Sequence, residues 1–131
     1  MEGYSVKIER ASKNLTAKER VALKDTTNAI PLDEATQAGK VLIEPDFYVE
    51  LAVHNERSED KDYTKFVVVD KSGNKYVTGS ESFITAFVDI LDEMADSGEE
   101  FAIEVYRMPS KNYKGKEFLT CSIVYPEKWR E

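Results

Sequence analysis

The stretch "KFVVVDKSGNKYVTGSESFITAFVDILDEM", residues 65–94, decides the fold that the sequence predicts. Its first half contains two apolar runs around Ser72 and Gly73, a pair typical of tight turns, and therefore predicts a β-hairpin. Its second half repeats apolar side chains every three or four positions, which predicts an amphipathic helix with Ser80 or Ser82 as its N-cap. The stretch thus predicts two strands followed by a helix.

The register of this hairpin decides which side chains share a face. Pairing Asp70 with Lys75 across the turn places Tyr76 on the same side as Lys65. That side also receives Val67, Val69 and Thr78. The opposite side, which suits a core, receives Phe66, Val68 and Val77.

Strand patterns flank this central stretch. The upstream segment "KVLIEPDFYVELAVH", residues 40–54, alternates apolar and polar side chains and predicts one long strand, which Pro45 should break or bend. Downstream, "EFAIEVYRM" and "KEFLTCSIVY" predict two strands, connected by the loop "PSKNYKGK" at residues 109–116. The resulting order is strand, strand, strand, helix, strand, strand.

This order predicts a mainly β chain with one main helix, of the α+β class. It is the order expected of an OB-fold-like five-stranded barrel, in which a helix lies between the third and fourth strands. A second α+β arrangement remains open, because strand order does not fix sheet pairing. The predicted organisation is an N-terminal extension at 1–39, an OB-like core at 40–125 and a tail at 126–131.

The N-terminal extension is predicted to combine a strand with irregular segments. "YSVKIER", residues 4–10, alternates as a strand does. Residues 15–25 form either a short helix capped by Thr16 and Glu19 or a turn that leads into a strand. Residues 28–40 are predicted to be a connection with one helical turn.

Composition and charge narrow the class of protein. With 131 residues, 41% hydrophobic and 33% charged, the chain fits one globular domain. Its formal net charge is -7, and residues 81–100 contain seven carboxylates and no Lys or Arg. No secretory signal or membrane-length apolar run occurs, so we expect a cytoplasmic protein with no membrane partner. The single Cys121 is expected to be a small buried hydrophobe.

The sequence lacks the residue patterns that common classes of enzyme and metal site require. His54 is the only histidine, which excludes a His-rich metal site and predicts an ordinary strand residue. Asp70, Ser72, Asn74 and Glu81 have the spacing of a calcium loop, but the position that requires Gly is occupied by Lys75. We therefore expect no catalysis, no cofactor and no metal.

The loop at 109–116 concentrates positive charge where an OB barrel would frame its binding face. Lysines that contact phosphates and an aromatic ring that stacks on a base are what single-strand binding requires. The predicted phosphate contacts are Arg107, Lys111, Lys114, Lys116 and Lys65. The predicted stacking residues are Tyr113, Tyr76 and Tyr48.

A motif pattern accompanies this loop. A turn of the form Asp-x-Ser-Gly at 70–73 is followed by Tyr76, a Ser-led amphipathic helix and a hairpin of the form Ser-Lys-x-x-x-Gly-x-x-Phe. The hairpin motif consists of Ser110, Lys111, Gly115 and Phe118. With this pattern, residues 40–124 resemble the small single-stranded DNA-binding proteins of phages and related mobile elements of Gram-positive bacteria.

The resemblance implies an OB-type fold and binding to single strands without sequence specificity during replication, with no catalysis. It carries over to Tyr76, Lys111 and Phe118. Single-stranded DNA is the expected partner, with RNA as an alternative nucleic-acid ligand. Replication or host proteins are further candidate partners. The alternative hypothesis is an inhibitor or adaptor module of a mobile element that binds a partner through an acidic helix face. That face consists of Asp89, Asp92, Glu93 and Asp96.

Overall fold

The computed structural model of the protein describes residues 3–57, 59, 61–94, 97–111 and 115–124. Of the described residues, 46% lie in strands and 23% in helices, so the protein is mainly β with one main helix, as predicted. In chain order the elements are β1 (Tyr4–Ala11), α1 (Ala17–Lys24), β2 (Ile30–Pro31), α2 (Leu32–Ala35), β3 (Val41–Ile43), β4 (Pro45–Asn55), β5 (Asp62–Asp70), β6 (Lys75–Thr78), α3 (Glu81–Met94), β7 (Ala102–Pro109) and β8 (Glu117–Val124). No described helix has the length and apolar character needed to cross a membrane.

The strands form two open sheets. One sheet has the order β1-β4-β5-β6-β2 and the other β3-β7-β8. The chain also divides into two compact units, one with its described residues in 1–31 and 45–79, the other in 32–44 and 80–131. The predicted division at 39 and 125 stays a prediction.

The long strand predicted from residue 40 is broken where expected. It forms β3 and β4, with Glu44 between them, and β3 belongs to the three-stranded sheet while β4 belongs to the five-stranded one. Pro45 cannot donate a ladder hydrogen bond, and the β4–β5 register shifts between Pro45 and Phe47. The break therefore gives one half of the predicted strand to each sheet.

The N-terminal residues add an edge strand to the five-stranded sheet and a helix that packs on one of its faces. β1 pairs antiparallel with β4, which confirms the predicted strand. Residues 17–24 are helical, because the Thr16 hydroxyl accepts from the Glu19 N–H at 3.1 Å and the Glu19 carboxylate accepts from the Thr16 N–H at 2.9 Å. Leu23 of this helix is buried in a core with the inward side chains of β4 and β5. Those strand residues are Phe47, Val49, Leu51, Val53, Val67 and Val69.

The β5–β6 hairpin pairs in a different register from the predicted one. Val69 lies opposite Lys75 and Val68 lies opposite Tyr76. The sequence predicted Asp70 opposite Lys75, and that prediction was wrong by one residue.

The turn explains the difference. The Asp70 N–H donates to the Asn74 carbonyl at 3.0 Å, and the Gly73 N–H donates to the Asp70 carbonyl at 3.0 Å. The Asp70 carboxylate accepts from the N–H groups of Ser72 (2.9 Å) and Asn74 (2.8 Å), while Gly73 has a φ of 90°. This is a three-residue loop closed by a left-handed residue. A shift of one residue moves side chains to the other face, so Tyr76 lies opposite to the predicted side.

The second unit packs α3 against β8. Ser80 caps α3 through a 3.3 Å bond from the Phe83 N–H, whereas the Ser82 hydroxyl donates to the Leu119 carbonyl at 2.7 Å. The rings of Phe83 and Phe87 are both fully buried and stack with centroids 5.5 Å apart. The other buried apolar side chains described in this unit are Leu32, Ile43, Ile84, Ala102, Ile103, Val105, Leu119, Cys121 and Val124.

His54 connects the end of β4 to the start of β5. Its Nδ1 lies 2.7 Å from the Asp62 carboxylate and its Nε2 lies 2.7 Å from the Glu56 carboxylate. Lys61 also contacts Glu56, at 3.3 Å, and the Lys7 side chain of β1 lines the same shallow depression as His54. The hydrogen bonds to Asp62 and Glu56 raise the pKa of His54 above its usual 6.5, because an imidazolium can donate to both.

We expect this arrangement to stabilise the fold most at mildly acidic pH. A raised pKa means that the stabilisation is complete below the unfolded-state pKa, about 6.5 for histidine, and is lost as pH rises through the folded-state pKa. Urea unfolding should therefore show a larger loss of stability for His54→Gln at pH 5.5 than at pH 8.5. An NMR titration that gave a His54 pKa at or below 6.5 would contradict this interpretation.

Cys121 is expected to be unreactive in the folded protein. Its side chain is 6% exposed, and burial raises the pKa of its thiol to about 12. Because the thiolate is the reactive species, iodoacetamide at pH 8 should modify Cys121 only after unfolding in urea. Mass spectrometry measures the modified fraction, and rapid modification of the native protein would show that the strand opens.

Candidate nucleic-acid interface

The three-stranded sheet exposes large apolar side chains on one face. Met108 and Phe118 lie directly opposite each other on β7 and β8, and they are 43% and 40% exposed. Leu42 on β3 is 44% exposed. Because residues that lie opposite each other share a face, and side chains alternate along a strand, these belong to one surface, here called the open face. The open face comprises Leu42, Glu104, Tyr106, Met108, Phe118, Thr120 and Ser122.

Tyr106 occupies the centre of the open face. Its hydroxyl lies 2.5 Å from the Ser122 hydroxyl on β8, a contact that restrains the ring. The Lys40 ammonium lies 5.3 Å from the centroid of the Tyr106 ring, and 3.7 Å from the Glu104 carboxylate. One side of an aromatic ring is therefore covered by a cation whose own side chain is 65% exposed.

A shallow groove of about 550 Å³ runs beside Tyr106. The residues that line it come from α2, from the connection to β3, and from the hairpin of β7 and β8. They are Thr36, Gln37, Gly39, Lys40, Tyr106, Arg107, Met108 and Glu117. The groove is thus lined by an aromatic ring and a thioether together with the cations Lys40 and Arg107, the carboxylate of Glu117 and the amide of Gln37.

The described ends of the lysine-rich loop adjoin the Met108–Phe118 end of the open face. Pro109 lies opposite Glu117 at the end of the hairpin, and the Ser110 N–H donates to the Lys116 carbonyl at 2.8 Å. Lys111 and Lys116 are both exposed. The predicted residues Tyr113 and Lys114 lie outside the described residues. Lys111 and Lys116 therefore follow and precede the Met108–Phe118 pair by three and two positions along the hairpin.

Arg107 has a structural contact that the sequence did not indicate. It lies opposite Leu119, on the face of β7 that is turned away from Met108. Its Nε donates to the hydroxyl of buried Thr36 at 3.1 Å, and its Nη2 donates to the Asp33 carbonyl. Arg107 thus fastens α2 to β7, and its predicted phosphate contact stays a prediction.

The predicted residues of the five-stranded sheet do not share one face. Lys65 lies opposite Leu51, on the side of the α1-covered core, with its ammonium 5.9 Å from the Tyr63 ring. Tyr76 lies on the other side, and partial burial, followed by the nearby Asp70, raises the pKa of its phenol. Tyr48 also lies on that other side and is 6% exposed, which leaves little ring surface for a base.

The acidic face predicted on α3 is exposed at Asp89, Asp92 and Glu93. Asp96 lies outside the described residues. No Lys or Arg occurs between residues 81 and 100, so no cation within the helix or its flanks balances these carboxylates. The hypothesis that this face binds a partner stays a prediction.

Sequence reasoning missed Lys40, Tyr106 and Met108. Alternation along "VYRM" does place Tyr106 and Met108 on one side of β7, and that was the available signal. What the sequence did not show is that this side is exposed, or that Lys40 of the preceding connection reaches the Tyr106 ring. The first fact depends on which face of the sheet is covered, and the second depends on the pairing of β3 with β7.

The described residues of the open face and of the loop beside it combine exposed apolar side chains with exposed lysines, an arrangement that suits a ligand with both aromatic rings and negative charges. Among the described residues, no group of three or more His, Cys, Asp or Glu side chains is placed to hold a metal ion.

Comparisons of the chain with known protein families, with curated proteins and with solved structures found no match.

Proposed function

We propose that this protein binds single-stranded DNA without catalysis, through the open face of β3, β7 and β8 and the lysines of the adjoining loop. The observation that carries the proposal is the exposed Met108–Phe118 pair next to Lys111 and Lys116. Bases stack on aromatic side chains such as Phe118 regardless of sequence, and lysines contact the phosphates between them. The resemblance to single-strand binders of phages and mobile elements supports a place in replication.

The order of the strands supports an OB-type fold as part of this proposal. β4 pairs with β5, β5 with β6, β3 with β7, and β7 with β8, while α3 follows β6 in the chain. An OB barrel has a helix between its third and fourth strands, and the loop between its fourth and fifth strands borders the binding face. With β3 and β4 counted as the first strand, that loop is the one containing Lys111 and Lys116.

Fluorescence anisotropy with a labelled thymidine oligonucleotide tests the proposal. We expect binding at low salt that weakens linearly as log salt increases. Lys111→Gln and Lys116→Gln should each reduce the slope by about 0.7, the value for one lost single-strand phosphate contact. Lys18→Gln, which removes an exposed lysine of α1, is the matched control and should leave the slope close to that of the wild type.

A separate variant tests how much base stacking on Phe118 contributes to binding. Phe118→Ala should weaken binding about 5- to 100-fold at every salt concentration, since one base loses its stacking partner. Val21→Ala removes an apolar side chain that is 72% exposed on α1 and serves as the control. Duplex DNA and RNA of matched length measure the preference for the proposed ligand. Failure of the wild type to bind any single strand at low salt would overturn the proposal.

A further inference from the structure

We infer that Lys40 and Tyr106 form a nucleotide-binding subsite in which Lys40 leaves the Tyr106 ring, a base of single-stranded DNA takes its place, and Lys40 contacts the adjoining phosphate. The inference rests on the proposed function and extends its site to residues that sequence reasoning missed. It assigns a role to the groove beside Tyr106, which neither the lysine loop nor the Met108–Phe118 pair requires.

The position of Tyr106 is the first argument. Its ring lies in the row of the open face next to Met108 and Phe118, because Tyr106 pairs with Thr120 and Met108 with Phe118. The 2.5 Å contact with the Ser122 hydroxyl restrains the ring before any ligand arrives. A base stacked there would continue the row of stacking side chains, and little ordering of Tyr106 would oppose it.

The contacts of Lys40 are the second argument. Its ammonium lies over the ring where a base would stack, 5.3 Å from the centroid. Its second contact, to Glu104, spans 3.7 Å, and the Lys40 side chain is 65% exposed. Exposed cation–π contacts and exposed ion pairs are both weak, so neither holds Lys40 firmly. A phosphate offers the displaced ammonium another charge-assisted partner, and release of counterions from the strand adds to the gain.

The charges around the groove favour a strand over a free anion. Lys40 and Arg107 line the groove with Glu117, and Glu104 lies 3.7 Å from Lys40, so two cations are balanced by two carboxylates. This balance gives an isolated phosphate little net attraction, whereas a strand already held by the loop lysines brings its next phosphate close to Lys40 at high local concentration. The occupant is therefore one nucleotide of a longer single strand.

Four variants test the subsite by anisotropy with the same labelled oligonucleotide. Tyr106→Leu should weaken binding about 5- to 100-fold without changing the salt slope. Tyr106→Phe keeps the ring and should stay within about threefold of the wild type, a margin that allows for loss of the Ser122 contact. Lys40→Gln should reduce the slope by about 0.7.

Glu104→Gln supplies a readout that a purely structural role would not give. It removes the carboxylate that competes with phosphate for Lys40, so affinity should increase several-fold. Glu9→Gln, at an exposed position of β1, makes the same change in net charge and should have little effect. Thermal melting of each variant checks that the fold is retained.

The outcomes separate the two proposals. If the wild type binds while Lys40→Gln, Tyr106→Leu and Glu104→Gln all bind as the wild type does, the subsite is wrong and the proposed function stands. If the wild type binds no single strand, both fail together. If Tyr106→Phe loses as much affinity as Tyr106→Leu, the hydroxyl and not the stacked ring is what matters, and the inference is overturned.

Discussion

The turn at Asp70 fixes the arrangement on which the five-stranded sheet depends. Its carboxylate accepts hydrogen bonds from two backbone N–H groups of the turn, and the loop then contains three residues instead of two. Because strand side chains alternate, that single additional residue brings Val77 beside Val67, so that Val77 packs against the core under α1. A two-residue turn would have directed Tyr76 into that core and left Val77 outside it.

Much of the fold could be predicted because local physics determines it. The helix of residues 81–94 follows from apolar spacing, and the break near Pro45 follows from the missing N–H of proline. Each of these signals acts within a few residues of the chain. Sequence alone could not choose between helix and strand for residues 15–25. The pattern allowed either a helix capped by Thr16 and Glu19 or a turn that leads into a strand, and only the structure shows that the capping hydrogen bonds form.

The candidate site could be predicted only in part, because sequence signals act locally whereas parts of the site depend on contacts between residues far apart in the chain. Lysines in a loop are visible in the sequence, but the exposure of Met108 and Phe118 depends on which face of a three-stranded sheet is covered. The Lys40–Tyr106 contact joins residues 66 positions apart in the chain through the pairing of β3 with β7. Conversely, the sequence predicted Arg107 to be a phosphate contact. Its hydrogen bonds to Thr36 and Asp33 depend on the packing of α2 against β7, which the sequence did not indicate.

The overall charge of the chain sets how salt acts on such a site. A net charge of -7 repels a polyanion at long range, and salt screens that repulsion because the Debye length falls from about 30 Å at 0.01 M to about 8 Å at 0.15 M. Counterion release acts in the opposite direction and weakens binding as salt increases. The slope measured for an acidic protein therefore understates the number of its phosphate contacts. A single neutral substitution changes the long-range repulsion only slightly, so slope differences between lysine variants report local contacts far better than any one slope does.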